Sequence, residues 1–321
     1  MRSLILHLSN LAIRVLVAIV GIPIILLLAM AGGFCFFAFI AIFSSIAVME
    51  FYGLARAKGS APQTVTGMVL GVFLTAAFIF TRLRDTVLTY LDRVGVGVSA
   101  PTMAQYLLIL LLLFTPLILT LELFRGKGSP LLNIGATLFG ALYVSIFFGS
   151  LVGLRELFIP EDFPVYAHFS VTGIAVPEEV SSTIYRWGGF TVIVLFASIW
   201  LCDSAAYFAG RGLGRHKLFE RVSPNKTWEG AAAGFIAAVV AFALGREWVL
   251  PYLTMPQAIV CGSIVGVFGQ IGDLAESLLK RDAGVKDSSN LIPGHGGVLD
   301  RFDSLMFVAP LLYFYFDFVL F

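Results

Sequence analysis

Charged residues are scarce in this sequence. Lys, Arg, Asp and Glu together account for 13% of its 321 residues, about half the share of a typical soluble domain. Hydrophobic residues account for 59%, and a water-soluble globule could not bury that much apolar surface. The chain is therefore predicted to be an integral membrane protein. Nucleic-acid binding requires a strongly basic face, and a net charge of +1 argues against one, so no nucleic-acid partner is expected.

Cysteine and histidine are also few, and neither forms a recognisable pattern. The three cysteines stand singly in apolar runs, without the CxxC spacing of a metal or redox site, so we interpret them as small packing residues. The four histidines are scattered, without the HxxxH or HxH spacing that would predict zinc binding. A disulfide framework and a zinc enzyme are therefore not expected.

Long apolar runs dominate the rest of the chain. A transmembrane helix needs about 20 mostly apolar residues, and this measure predicts an all-α, polytopic membrane helix bundle with about nine transmembrane helices. Their predicted ranges are 12–31, 34–53, 67–82, 105–121, 132–154, 190–210, 230–249, 257–275 and 304–321. The first five form an N-terminal block, 1–155, which an extracytoplasmic loop, 156–189, follows. The last four lie in 190–321, which is predicted to carry the catalytic residues on its helices and cytoplasmic loops.

The distribution of basic residues between the loops predicts the orientation. Cytoplasmic loops of membrane proteins carry an excess of Lys and Arg. With the N-terminus inside and the C-terminus outside, fifteen of the 21 basic residues lie on the cytoplasmic side. The reverse orientation inverts this bias. We therefore expect a multi-pass protein of the inner (cytoplasmic) membrane, N-in and C-out, whose active site faces the cytoplasm.

Acidic side chains stand near the cytoplasmic ends of three predicted spans. Asp203 lies about two turns before the end of the sixth span, Asp273 lies at the end of the eighth, and Asp300 and Asp303 open the ninth. Charges within spans are costly and are commonly functional. Carboxylates brought together repel unless a divalent cation neutralises them, and Mg²⁺ suits a few carboxylates completed by water and phosphate oxygens. Simple salt bridges and the ion path of a transporter are the alternatives.

A polar loop before the predicted seventh span suits an anion. It contains the glycine-rich stretch Gly210–Gly214 and then Ser223, Lys226 and Thr227. Hydroxyls, a lysine and accessible backbone N–H groups at the start of a helix are typical of phosphate binding. The glycines do not follow a strand, which excludes the dinucleotide-binding fingerprint. A basic cytoplasmic loop with a helix cap is the alternative interpretation.

A second polar loop precedes the predicted ninth span. It runs from Lys280 to Asp287 and on to a Pro-Gly-His-Gly-Gly stretch at 293–297. The glycines allow the backbone to approach a ligand closely. A lone histidine is usually structural, but His295 stands among three glycines and shortly before Asp300, so we expect it to be functional.

Four motifs follow one another near the C-terminus: Ser277-Leu278-Leu279-Lys280-Arg281, Lys286-Asp287, Pro293-Gly294-His295-Gly296-Gly297 and Asp300-Arg301-Phe302-Asp303. In this order and spacing they resemble the signature of the phosphatidate cytidylyltransferases, or CDP-diacylglycerol synthases. The Ser-Pro-Asn-Lys-Thr-Trp-Glu-Gly run at 223–230 and the Asp-Ser-Ala-Ala-Tyr run at 203–207 are also similar to that family. The strong resemblance covers about 200–310; before it, only the hydropathy and Glu50 agree.

The resemblance implies a reaction in which CTP and phosphatidic acid give CDP-diacylglycerol and diphosphate within membrane lipid, with Mg²⁺ as the cofactor and a homodimer as the assembly. The implied metal ligands are Asp203, Asp273 and Asp300. The implied catalytic residues are Asp273, Lys280, Arg281, His295, Asp300, Arg301 and Asp303. The implied substrate-binding residues are Ser223, Lys226, Thr227, Ser277, Lys286 and Asp287.

Two other functions stay open at this point. A CTP-dependent kinase, or a cytidylyltransferase acting on another lipid, would keep the same polar motifs and differ in the groove for the acyl chains. A cation transporter with Asp203 and Asp273 on its path is the non-enzyme alternative. Transporter sites lie near the bilayer midplane, whereas these acids are predicted near the interface, which favours an enzyme.

Overall fold

The computed structural model describes residues 10–96, 99–158, 177–292, 294 and 296–321. The α-helices in these ranges are α1 (Asn10–Ala31), α2 (Gly33–Ala57), α3 (Thr64–Ala76), α4 (Phe80–Arg93), α5 (Met103–Arg125), α6 (Pro130–Glu156), α7 (Glu178–Leu213), α8 (Trp228–Trp248), α9 (Met255–Asp282) and α10 (Leu299–Tyr315). A 3₁₀ turn, Ala77–Ile79, joins α3 to α4, and a π-helical turn, Phe316–Leu320, follows α10.

The prediction of an all-α, polytopic membrane bundle is confirmed. Eight helical segments of the described residues are long and apolar enough to cross a membrane, and α3, the 3₁₀ turn and α4 form one of them. Within α1, Val17–Ala31 is a shorter apolar helix. Helices form because a chain in lipid must satisfy every backbone N–H and C=O group internally. The N-in, C-out orientation stays a prediction.

A β-hairpin between α7 and α8 interrupts the helices. Its strands, β1 (Lys217–Phe219) and β2 (Ser223–Thr227), are antiparallel, with Lys217 opposite Thr227 and Phe219 opposite Ser223. The sequence predicted this stretch only as a polar loop. Strands of three and five residues, rich in polar groups and containing a proline, carry little β-sheet signal of their own.

The chain divides into two compact units. One unit is Gly33–Gly153, and the other contains α1 together with Leu154–Phe321. The predicted N-terminal block, 1–155, cuts across these units because α1 belongs with the C-terminal helices. The predicted connector, 156–189, overlaps with a helix, since α7 already begins at Glu178. Two glutamates in its first turn favour a helix N-terminus there, where the helix dipole is positive.

Arg155 shows why α1 belongs with the C-terminal helices. Its side chain is fully buried and donates from Nε to the carbonyl of Ala29 (2.8 Å) and from Nη2 to that of Met30 (3.2 Å). The guanidinium carbon also lies 4.2 Å from the ring centroid of Tyr185, whose hydroxyl donates to the carbonyl of Ala31 (2.6 Å). These carbonyls end α1, and a cation is favourable at the negative end of a helix.

A buried carboxylate organises one end of the Gly33–Gly153 unit. Glu122, on α5, is almost wholly buried and accepts hydrogen bonds from Gln63 Nε2 (2.9 Å), Arg125 Nη1 (2.9 Å) and Asn133 Nδ2 (2.6 Å). Asn133 Oδ1 in turn accepts from the backbone amide of Ala61 (2.6 Å). The carboxylate therefore ties the α2–α3 connection to the turn between α5 and α6.

Replacing Glu122 by Gln should destabilise the protein. The new amide would direct a donor at groups that are themselves donors, and an unmade buried hydrogen bond costs about 1–3 kcal/mol. Thermal unfolding in detergent micelles measures this loss. Asp92→Asn, which changes an exposed carboxylate on α4, is the matched control. A Glu122→Gln protein that unfolds at the parent's temperature would contradict the structural role.

Candidate active site

The last turns of α9 form a polar face. The helical spacing i, i+3 or i+4, i+7 predicts that Asp273, either Glu276 or Ser277, and Lys280 share one side of this helix. In the structure, Ser277 Oγ donates a hydrogen bond to Asp273 Oδ1 (3.3 Å), and Lys280 forms an ion pair with Glu276 one turn before it. The end of α9 therefore presents carboxylates, a hydroxyl and an ammonium group together.

Carboxylates from three helices come together beside this face. Asp203 on α7, Asp273 on α9 and Asp303 on α10 interact electrostatically in all three pairs. We term these three residues the acidic cluster. Because like charges repel, they can all remain ionised only where cations offset them.

Two cations of the chain offset part of this charge. Lys226, on β2, places its Nζ 2.6 Å from Oδ2 of Asp273. Arg301, which follows Asp300 on α10, interacts electrostatically with Asp203. The side chains of Lys226 and Asp273 are 26% and 33% exposed, so the ion pair is open to exchange with a ligand.

The acidic cluster suits Mg²⁺. Within the described ranges, no three acidic, histidine or cysteine side chains come close enough to enclose a metal ion. Mg²⁺ does not require such a cage, because one or two carboxylates usually hold it together with water and substrate phosphate oxygens. Asp273 with Asp203 or Asp303 supplies such a donor set, whereas this part of the chain offers no tetrahedral zinc site.

Asp300 has a different environment from the acidic cluster. Its Oδ1 accepts a hydrogen bond from Lys280 Nζ (2.7 Å). Its Oδ2 accepts from the amide and hydroxyl of Ser288 (both 2.9 Å) and from the amide of Gly297 (2.8 Å). Oδ2 thus accepts three hydrogen bonds and Oδ1 accepts one. Asp300 therefore joins α9 to both ends of the loop before α10, and its predicted metal role stays a prediction.

Position 296 in this loop requires glycine. Gly296 has φ +84°, which side chains rarely adopt, and a Cβ added there would lie 2.8 Å from Asp300 Oδ2. The amide of Ile292 donates to the carbonyl of Gly296 (2.9 Å), which brings the flanks of the loop together. The backbone thus lies directly against the Asp300 carboxylate.

The hairpin is held by residues at the start of α8. The hydroxyl of Thr227, a predicted substrate-binding residue, accepts a hydrogen bond from the amide of Gly230 (3.2 Å) and caps this helix. The carboxylate of Glu229 accepts from the amide of Arg215 (3.1 Å) and lies 2.6 Å from His216 Nδ1. These contacts fix the base of the hairpin that carries Lys226.

Two more predicted residues take part in this framework. Arg281, predicted to be catalytic, donates from Nε to the carbonyl of Val222 (3.4 Å) and from Nη1 to that of Val285 (3.2 Å). It thereby connects the hairpin turn to the segment after α9. Ser223 lies in β2 and is half-buried.

The other predicted residues lie at the surface or outside the described residues. Lys286 and Asp287, in the connection between α9 and α10, are exposed, as is Arg301. His295 lies outside the described residues, so its predicted role stays a prediction.

Three residues of this region were not among the predicted site residues. Glu276 stands four residues before Lys280, a spacing that indicates an ion pair on a helix. Glu229 lies in the first turn of α8, where a carboxylate is favourable. Ser288 carries no comparable signal, because its contact with Asp300 depends on how the loop folds.

Comparison with known proteins assigns this chain to a family. A family model described as "Cytidylyltransferase family" matches residues 12–319. The chain belongs to this family. Among similar proteins, the phosphatidate cytidylyltransferase of Synechocystis sp. is 34% identical over 304 residues, which cover 94% of this chain and 95% of the relative. That of Bacillus subtilis is 31% identical over 305 residues, 94% of this chain and 96% of the relative. That of Brucella suis is 50% identical over 135 residues, 40% of this chain and 47% of the relative.

The resemblance to the phosphatidate cytidylyltransferases that the C-terminal motifs predicted is confirmed. The cytidylyltransferase match also extends over the N-terminal helices, for which the sequence had offered only hydropathy and Glu50. The acidic cluster, the hairpin and the loop before α10 therefore belong to a chain that is related to the family over nearly its whole length.

Gly296→Ala should impair the cytidylyltransferase site. The added methyl group would meet the carboxylate of Asp300, and the residue would have to keep a strained positive φ. We expect the rate of cytidylyl transfer to fall by about tenfold or more. Gly284→Ala is the matched control, because Gly284 has φ +74° but no atom within 4 Å of an added Cβ. Equal losses in the two variants would assign the effect to backbone strain alone.

Proposed function

We propose that this enzyme transfers the cytidylyl group of CTP to phosphatidic acid and releases diphosphate, giving CDP-diacylglycerol. The observation that carries the proposal is the acidic cluster, which three membrane helices bring together beside Lys226. Carboxylates that bind a cation, with basic side chains next to them, suit a reaction between two polyanions. Family membership and the names of the full-length relatives support the same activity.

The reaction requires little acid–base chemistry. Phosphatidic acid is ionised at neutral pH, so its phosphate oxygen can attack the α-phosphorus of CTP without a general base. A new P–O bond forms as the bond from the α-phosphorus to the departing diphosphate breaks. Catalysis then rests on in-line positioning of the two substrates and on neutralisation of the charge that the leaving group gains.

In this proposal Asp203, Asp273 and Asp303 hold Mg²⁺. Bound there, the ion would neutralise phosphate oxygens of CTP and of the diphosphate that leaves. The mutual electrostatic interaction of these carboxylates from α7, α9 and α10 supports this assignment. Asp300 remains a predicted ligand, although its four hydrogen bonds favour a role in holding the loop.

Cations of the hairpin and the α9–α10 region bind the phosphates in this proposal. Lys226 pairs with Asp273 when no substrate is bound and would turn to the triphosphate when CTP enters. Lys286 and Arg301 are exposed and so are open to phosphate groups. Lys280 is buried between two carboxylates, which supports a role in joining α9 to α10.

We place the reaction at the cytoplasmic face of the inner membrane. The basic loops that connect the C-terminal spans support this side, since cytoplasmic loops are enriched in Lys and Arg. CTP is water-soluble and would enter from the cytoplasm, while the phosphate of phosphatidic acid lies at the depth of the lipid headgroups. The homodimer implied by the resemblance stays a prediction.

The purified protein, supplied with CTP, phosphatidic acid and Mg²⁺, should release diphosphate and form CDP-diacylglycerol. Radioactive phosphorus tests the reaction type: a label on the α-phosphate of CTP should move to the lipid, and a label on the γ-phosphate should leave in diphosphate. Transfer of the γ label to lipid with release of CDP would indicate a kinase instead. Cation flux into proteoliposomes without a lipid product would indicate a transporter.

Asp273→Asn is the inactive control for this assay. Asparagine keeps the shape of the side chain but lacks the charge that holds a cation, so turnover should fall about a hundredfold or more while the protein stays folded. Asp282→Asn, at the exposed end of the same helix, should retain activity. Turnover of Asp273→Asn within about threefold of the parent would exclude the metal role.

Lys226→Gln should weaken the use of CTP. Loss of the ammonium group removes a partner of the triphosphate, so the KM for CTP should rise about tenfold or more, with a smaller change in kcat. Lys217→Gln makes the same change on the other strand, where the ammonium donates to the carbonyl of Pro224 (2.6 Å), and should leave the KM nearly unchanged. An unaltered dependence on CTP concentration in Lys226→Gln would contradict this role.

A further inference from the structure

Glu276 is a fully buried carboxylate beside the site, and the reaction described above gives it no task. Its exposed fraction is 0%, so neither substrate can touch it in this arrangement. Burying a carboxylate is costly unless a cation accompanies it. Glu276 meets this requirement through an ion pair with Lys280, one helical turn further along α9.

Lys280 connects Glu276 to the next helix. The same ammonium group that pairs with Glu276 lies 2.7 Å from Oδ1 of Asp300 on α10. A lysine stem is flexible and can adopt many rotamers. A carboxylate on each side restricts it to the one that bridges α9 and α10. Glu276 therefore holds the ammonium group where these helices meet.

Asp300 passes this constraint on to the loop before α10. While Oδ1 accepts from Lys280, Oδ2 accepts from the amide and hydroxyl of Ser288 and from the amide of Gly297. One carboxylate thus holds residues on both sides of the glycine-rich segment. Because the backbone of Gly296 lies directly against Oδ2, the carboxylate cannot shift without moving the segment.

We propose that Glu276 is a positioning residue, which acts through Lys280 and Asp300 to fix Ser288, Gly296 and Gly297 at the start of the helix that carries Asp303. This inference rests on the proposed function, which makes the acidic cluster the reaction centre. Asp303 of that cluster lies one turn after Asp300 on α10, and it also interacts electrostatically with Glu276. The contacts that begin at Glu276 therefore end next to the reacting groups.

Hydrogen exchange tests these contacts without reference to any substrate. Glu276→Gln keeps the shape of the side chain and removes the charge that restrains Lys280. The amides of Ser288 and Gly297, which donate to Asp300, should then exchange about tenfold faster or more. The hairpin, residues 217–227, should exchange as in the parent. Unchanged exchange of the amides of Ser288 and Gly297 would overturn the proposal.

Steady-state kinetics separates positioning from a general loss of stability. Glu276→Gln should lower kcat about tenfold or more and leave the KM for CTP nearly unchanged, because the residue acts on geometry and not on binding. Ser288→Ala removes a hydrogen bond further along the same series of contacts, so its effect and that of Glu276→Gln should be less than additive. Lys226→Gln lies outside the series, and its effect should add fully. If the effects of Glu276→Gln and Ser288→Ala on kcat were fully additive, the proposed series of contacts from Glu276 to Ser288 would be refuted.

Glu276→Asp covers the case in which the glutamine variant does not fold. Aspartate keeps the charge but has a side chain one methylene group shorter. The faster amide exchange and the lower kcat should therefore both appear, but to a smaller extent. The absence of both would overturn the proposal. Faster exchange without formation of CDP-diacylglycerol by the parent would reject the proposed reaction and support the contact series. Product formation with unchanged exchange would reject the role of Glu276 alone.

Discussion

Mutual repulsion between carboxylates that three membrane helices bring together is the constraint on which this site depends. α7, α9 and α10 each bring one member of the acidic cluster. The protein supplies part of the opposite charge through Lys226, whose ammonium group lies 2.6 Å from Asp273. Lys226 lies on the hairpin. The contacts that hold this hairpin therefore also position the ammonium group beside Asp273.

The carboxylates of the site divide into two kinds. Asp273 is a third exposed and paired with an accessible lysine, so a ligand can compete for it. Glu276 and Asp300 are buried and engaged by Lys280 and by the loop before α10. Glu122, in the other compact unit, follows the second pattern. Accessible carboxylates suit cations and substrates, whereas buried carboxylates paired with the protein's own groups hold connections between helices in place.

Much of the architecture could be predicted from the sequence, and each failure has a physical cause. Apolar runs of about 20 residues predicted the membrane helices, because lipid imposes both length and composition. The spacing of Asp273, Glu276 or Ser277, and Lys280 predicted a shared helix face, because helical periodicity is local. The packing of α1 with the C-terminal helices cannot be inferred from local sequence, because it depends on Arg155, more than a hundred residues further along the chain. The hairpin was missed because its short polar strands have little intrinsic β-sheet preference.

The sequence by itself determined that the chain spans a membrane, that its polar motifs lie in the C-terminal third, and that these motifs belong to the cytidylyltransferases. Composition, hydropathy and motif spacing are properties of neighbouring residues, so no fold is needed to read them. Only the tertiary structure decided which carboxylates stay accessible to a ligand and which are buried against groups of the protein. Asp273 and Asp300 look alike in the sequence, but their environments differ. Asp300 accepts hydrogen bonds from α9 and from the loop before α10, whereas Asp273 is a third exposed.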